Sequence, residues 1–355
     1  MRPRRLDAAP AALGYAMPAE WAPHRATWLA WPHNQADWPG KFAAIPWVFA
    51  EVVRHLHQHE RVQILVPDAR GERRARRVLV RAGIELARVG FFRVPTDRAW
   101  MRDSGPTFVR RPDGTRAAVC WRFNAWAKYS DWKRDQKVAA RVAELAGVPQ
   151  FQARAGAERV VLEGGAIDGD GAGTLLATEE CLLDPVQARN PGLGRAGTEQ
   201  VLYETLGARK LIWLSRGLFG DDTHGHVDDV ARFVEPGRVV LCRARDPRDA
   251  NYALLEENRE RLGGATDAAG RRLEVIPLPL PRPIDFDRRR LPASYANFYL
   301  ANDLLLVPTF NDPHDRDALG LFSELFPDRE VIGIHAVDLL WGLGTLHCMT
   351  QQEPA

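Results

Sequence analysis

The chain is poor in cysteine and methionine, with four of each in 355 residues. Cys120, Cys181, Cys242 and Cys348 lie far apart and form no CxxC pair. That argues against a disulfide framework and against a zinc cluster built on thiolates. There is no excess of charge. Lys and Arg total 48, Asp and Glu total 46, and the net charge is +2. So even a balance gives no electrostatic case for a nucleic-acid or membrane-surface protein. No uninterrupted apolar run approaches the roughly 18 residues that span a bilayer. The first 21 residues begin basic but lack an apolar signal region, so a cytoplasmic protein is expected. Ser/Gly-rich tracts and long charge blocks are missing too. Pro277–Arg290 is the best linker candidate, but the apolar pattern resumes at Tyr295, so it reads as a loop. One domain over residues 1–355 is therefore expected.

What is present suffices for a core: 45% of residues are apolar and 26% charged, with eleven tryptophans. Short β-branched runs bounded by Gly, Pro and Asp predict strands, among them 61–66, 117–123, 159–167, 173–178, 238–243, 299–310 and 331–336. Apolar residues three to four apart predict helices over 49–60, 72–83, 136–147, 197–207, 249–263 and 316–327. About two strands per helix recur every 60–70 residues or so. A plain parallel βαβ protein has nearer one strand per helix. A repeated ββαβ unit argues for a closed, propeller-like α/β domain.

Four segments set acidic, His or Cys residues beside glycine at predicted strand ends. In Trp100–Pro106, Asp103 is a candidate pocket carboxylate with Trp100 as an apolar wall; the plain alternative is a surface Arg102–Asp103 pair. In Val161–Ile167, Glu163 ends an apolar run before two glycines. A buried Glu needs a partner, and the glycines permit close approach of another group. In Asp221–Asp229, two histidines and four carboxylates cluster. If Gly225–Asp228 is extended, His226 and Asp228 point to one side. In Gly342–Thr350, Cys348 stands between glycine-rich backbone and a polar tail, which makes it a candidate nucleophile; the plain alternative is a small buried core thiol. Cys120, Cys181 and Cys242 sit in apolar patterns and read as core.

MPAEWAPHRATWLAWP, WMRDSGPTFV, FNAW, VLEGG, GHVDD and LHCMTQQ, in that order, resemble the agmatine deiminase family of guanidine-modifying enzymes. The resemblance runs from about Met17 to Gln352. It implies the pentein fold, an α/β propeller of five ββαβ units with pseudo-five-fold symmetry. It implies hydrolysis of a guanidinium to a urea plus ammonia, with no metal and no organic cofactor. Agmatine, converted to N-carbamoylputrescine for putrescine synthesis, would be the substrate. Free or peptidyl arginine is the alternative, and a homo-oligomer is left open. Carried over by position, Cys348 would be the nucleophile, His226 the general acid/base and Glu163 its orienter. Asp103 and Asp228 would grip the guanidinium, with Trp100 against it.

Those residue types suit the chemistry. A guanidinium presents N–H donors in a planar fork, and carboxylates accept them in charge-assisted pairs. Its carbon is a poor electrophile, so a thiolate is apt; a neighbouring cation favours the thiolate. The chain departs from the family pattern in two places. It reads GLGTLHC where GGGNIHC is expected, and the segment after Asn124-Ala125-Trp126 passes quickly to Lys128-Tyr129. Both changes bear on which guanidine is used.

Two rivals differ in class. Thr223–Asp229 is near the T-H-x-H-x-D-H pattern of metallo-β-lactamase-like hydrolases, which would make His224, His226 and Asp228 metal ligands. A non-catalytic guanidine binder would use Asp103 and Asp228 alone and would not need Cys348.

Overall fold

The computed structural model describes residues 8–355; the basic start of the chain, Met1–Asp7, lies outside them. Five mixed sheets share one order of strands. In four of them an antiparallel pair is followed by a helix and a third strand parallel to the second. These sheets are Thr107–Arg110, Arg116–Cys120 and Gln150–Gln152; Asp168–Gly169, Thr174–Thr178 and Lys210–Leu214; Ala231–Glu235, Arg238–Arg243 and Glu274–Pro279; and Tyr299–Ala301, Leu304–Thr309 and Glu330–His335. The fifth joins the two ends of the described chain. Its first strand, Thr350–Pro354, pairs antiparallel with His24–Ala30, which pairs parallel with Arg61–Val66 and through it with Val89–Arg93. The repeated ββαβ unit expected from the sequence is thus present five times.

Local signals explain most elements. Helix Ile45–His59 buries Ile45, Phe49, Val52, Val53 and Leu56, a three-to-four spacing, against the first sheet. Helix Ala69–Arg81 starts where Asp68 accepts a hydrogen bond from the Gly71 amide at 2.7 Å. The predicted strand over 299–310 is a hairpin, turned at Asn302-Asp303 with Asp303 at φ 56°.

Two expectations need correction. The apolar run 159–167 is no continuous strand. It has a two-residue strand Glu158–Arg159, an isolated bridge at Val161, and a 3₁₀ turn over Gly164–Ala166. Glycines leave no side chains to pack along a strand there and let the chain bend inward. The polar tail after Cys348 is in fact the buried strand Thr350–Pro354. Its polar groups are satisfied: Trp28 Nε1 donates to Glu353 at 2.8 Å, and Arg102 Nη1 donates to Gln352 at 2.7 Å. Burial of TQQEP follows from those partners, not from apolarity.

Candidate active site

Cys348 lies in the short helix Leu346–Met349, two residues before the closing strand. Asn297 fixes this turn. Its Oδ1 accepts from Thr345 Oγ1 at 2.8 Å and from the His347 amide at 3.0 Å, and its Nδ2 donates to Cys348 Sγ at 3.1 Å. Thr345, which stands where the family pattern has Asn, therefore still makes a bond that holds the loop. The Cys348 thiol lies 3.7 Å from Asp228 Oδ2. Burial, reinforced by Asp228, Asp229 and Asp103, pushes it well above the usual thiol range.

Three segments bring the other groups to the sulfur. Gly165 is where they converge. A Cβ built on it would lie 2.6 Å from His226 Nδ1, 2.9 Å from Asp228 Oδ2 and 3.1 Å from Asp103 Oδ1. Gly164 is equally constrained, its Cβ position being 2.4 Å from the Arg102 carbonyl. The expected close approach at this glycine pair is thus real. His226 and Asp228 do not sit on an extended segment, however. A 3₁₀ turn over Val227–Asp229 follows His226 and turns both side chains to the same centre.

His226 is buried. Its Nε2 is 3.6 Å from Glu163 and its Nδ1 is 3.9 Å from Asp103. Neither nitrogen has a close hydrogen-bond partner among the described residues. Burial alone would push the imidazole down; Asp103, Cys181 and Glu163 outweigh it and hold the ring well above the usual range. Glu163 is fully buried, and Arg189 Nε donates to both its oxygens at 3.2 and 3.3 Å. Burial raises the Glu163 carboxyl, but Arg189 and His226 prevail and hold it below the usual value.

Asp103 accepts from Trp126 Nε1 at 2.9 Å and from the Gly165 amide at 3.2 Å. Burial, opposed by His226 and reinforced by Asp228 and Glu163, pushes its carboxyl up to about 6. Trp100 packs on Trp38 with centroids 5.3 Å apart and walls a cavity of about 350 Å³ that also takes in Asp103 and Cys348. The structure therefore brings all six sequence-predicted residues together.

Sequence reasoning missed several participants. Arg189 and Asn297 carry no local motif. Trp126 was visible in FNAW, but its contact with Asp103 depends on backbone: Ala125, Trp126 and Ala127 all have positive φ, 51°, 58° and 53°. Cys181, read as core, is buried but also abuts His226 and Glu163. Arg102 ties strand 350–354 to the centre. Asp229 receives Asn297 Nδ2 at 3.0 Å.

The metal-site rival fares differently. His224 turns away, its Nε2 3.7 Å from the partly exposed Asp184. Among the described residues, the groups whose ligand atoms approach one another are Glu163, Cys181 and His226, and Asp228, Asp229 and Cys348. His224 joins neither. Glu163 is already engaged by Arg189, and Asp228 by His347 at 2.7 Å.

Repeated ββαβ sheets carrying a cysteine, a histidine and three carboxylates on one glycine-lined centre define a class of α/β proteins with a thiol-centred site. Within it, the chain belongs to the family described as Porphyromonas-type peptidyl-arginine deiminase, whose model matches residues 16–354. It is 38% identical to an agmatine deiminase of Stutzerimonas stutzeri, over 99% of this chain and 98% of that one. Among solved structures, agmatine deiminase of Enterococcus faecalis superposes with a TM-score of 0.91 at 33% identity, covering 99% of both chains. A cysteine-to-serine variant of C. jejuni agmatine deiminase with substrate bound gives 0.84 at 28% identity over 96% of each.

Proposed function

We propose that this protein hydrolyses agmatine to N-carbamoylputrescine and ammonia through a covalent S-amidino intermediate. The observation that carries the reading is the convergence of His226, Asp228 and Asp103 on Gly165, with Cys348 3.7 Å from Asp228. The full-length similarity to agmatine deiminases supports the substrate. In this reading the chain is one catalytic domain, and its five sheets close around a pseudo-five-fold axis with the site at the centre. No helix among the described residues is long and apolar enough to cross a membrane.

Asp103 and Asp228 take the guanidinium N–H groups and fix its plane. The arriving cation offsets the carboxylates that hold the proton on Cys348, so the thiol releases that proton to solvent and the thiolate forms when substrate is bound. The sulfur adds to the guanidinium carbon. His226 gives its proton to the departing ammonia, then takes one from the water that attacks the amidino carbon. Collapse expels the thiolate and leaves the urea. Glu163, held by Arg189, keeps the imidazole oriented.

The mouth supports a second reading. Arg289 lines it, is exposed, and makes no ion pair among the described residues, so it suits a carboxylate-bearing tail. Asp37 and Asp222 line the same cavity and suit the amine of agmatine. Ammonia release from agmatine, arginine and a peptide ending in arginine, with EDTA present, decides between them. Cys348→Ala should lower turnover by about 10⁴-fold or more. Inhibition by EDTA, or full activity in the variant, would exclude the thiol mechanism. Turnover of the arginine compounds alone would keep the mechanism and change the substrate.

A further inference from the structure

The side chain just before the nucleophile is as tightly held as any in the centre. His347 is 2% exposed, and both of its ring nitrogens meet carboxylates: Nδ1 lies 2.7 Å from Asp228 Oδ2 and Nε2 lies 2.8 Å from Glu20 Oε2. An ionised carboxylate only accepts, so each contact uses a proton on the ring. Glu20 is itself anchored. It receives Arg232 Nη2 at 2.8 Å and the Leu300 amide at 2.8 Å, while Arg232 Nε donates to Asp168 at 2.6 Å. The chain Asp228–His347–Glu20–Arg232–Asp168 is buried throughout. It links residues from three of the five sheets or their approaches. One oxygen of Asp228 stays outside it: Oδ1 is buried and has no hydrogen-bond partner among the described residues.

We infer that His347 is a positioning residue, which clamps Oδ2 of Asp228 so that Oδ1 is presented, ionised, to the guanidinium. The inference rests on the reading of Asp228 as a substrate carboxylate. His347 does not touch the reacting atoms in this role; it acts through Asp228. A buried aspartate beside a second acid would otherwise tend to keep its proton. Burial indeed raises Asp228, but His347, with His226 and Arg232 also facing it, brings the carboxyl below its usual value. The remaining neighbours, Asp229, Asp103 and the Cys348 thiol, favour protonation or offer no positive charge. His347 is therefore the donor in hydrogen-bond contact with Asp228, and its loss has a direction. Asp228 then takes up its proton at higher pH, and guanidine binding weakens from the acid side.

The test compares wild type, His347→Asn, His347→Gln and Asp228→Asn, with agmatine as substrate from pH 5 to 9 and circular dichroism to confirm folding. Asn keeps a neutral donor near the Nδ1 position, and Gln extends one toward Nε2, so one of the two should remain folded. The expected result for His347→Asn is a KM raised about tenfold to a hundredfold, the loss associated with one charge-assisted hydrogen bond. The acid limb of its kcat/KM profile should move to higher pH, and kcat at saturation should fall less than KM rises. His347→Gln should be the weaker binder of the two. An unchanged acid limb and KM in folded variants would overturn the inference, because a packing role alone lowers stability without moving either. If Asp228→Asn itself leaves KM unchanged, the substrate role of Asp228 fails, and the inference falls with it for that distinct reason.

Discussion

The floor and the mouth of the cavity are built on different principles. At the floor, six acidic groups, two histidines and three arginines are buried together, and most of the carboxylates have a named partner. Glu163 is taken by Arg189, Asp228 by His347, Glu20 by Arg232, and Asp103 by Trp126. Charge is costly to bury, so such groups persist only when mutually satisfied. At the mouth ion pairs run from the interior to solvent: Arg98 bridges the buried Asp37 at 2.5 Å and the exposed Asp131 at 2.9 Å, and Lys128 lies 3.4 Å from Asp222. There the cost is carried by the backbone. Residues 125–127 and Leu343 all occupy the left-handed region, where non-glycine residues are disfavoured. The floor fixes what is done to a guanidinium; the mouth is where substrates with different tails can be told apart.

If that contrast holds, substitutions at the two levels should behave differently. Leaving the nucleophile itself aside, the largest effect should come from Gly165→Ala. Its added methyl would sit within 3.1 Å of His226, Asp228 and Asp103 together and should lower kcat/KM by about a hundredfold or more, in line with the cost of an ångström-scale misplacement. Near-normal turnover in a folded Gly165→Ala protein would mean that the floor is far more compliant than its packing implies.

Next in size is the acid limb. Asp103 has its carboxyl pushed up to about 6. In the proposed mechanism its ionised form is the one that accepts guanidinium donors. Below that pH the protonated form dominates, and kcat/KM should fall by about tenfold per unit. Trp126 donates to the charged form and opposes the rise, so Trp126→Phe should move the limb to higher pH. A limb that stays in place would separate Trp126 from the titration.

The smallest effect is expected at the mouth. Ala127 is exposed, with φ 53°. Ala127→Gly removes left-handed strain at a modest entropic cost. It should raise unfolding stability by about 0.5–1 kcal/mol and change kcat/KM by less than about threefold. Denaturant midpoints read the first and ammonia release the second. A loss of stability would show that this turn is not strained in the way its dihedral angle indicates.

The positions of error along the sequence have a common cause. Helices such as 49–60 and strands such as Arg61–Val66 were legible because their own residues carry the period of the face they bury. Strand Thr350–Pro354 was not, because its burial depends on polar partners from Trp28, Arg102 and Arg116. Cys181 looked like core because nothing in its own segment distinguishes a thiol beside His226 from one beside leucines.

By itself, then, the sequence determined the alternation of two strands and a helix, the six groups that converge at the candidate site and the assignment of the chain to one family. It could do so because ordered motifs and local periodicity survive without knowledge of neighbours. Only the tertiary structure decided that the last strand joins the first sheet, that Arg189 and Asn297 serve Glu163 and Cys348, and that His347 bridges Asp228 and Glu20. Those partners come from segments as far as 327 residues apart. Their pairing is set by which charges must be neutralised together once water is excluded, and no local pattern encodes that.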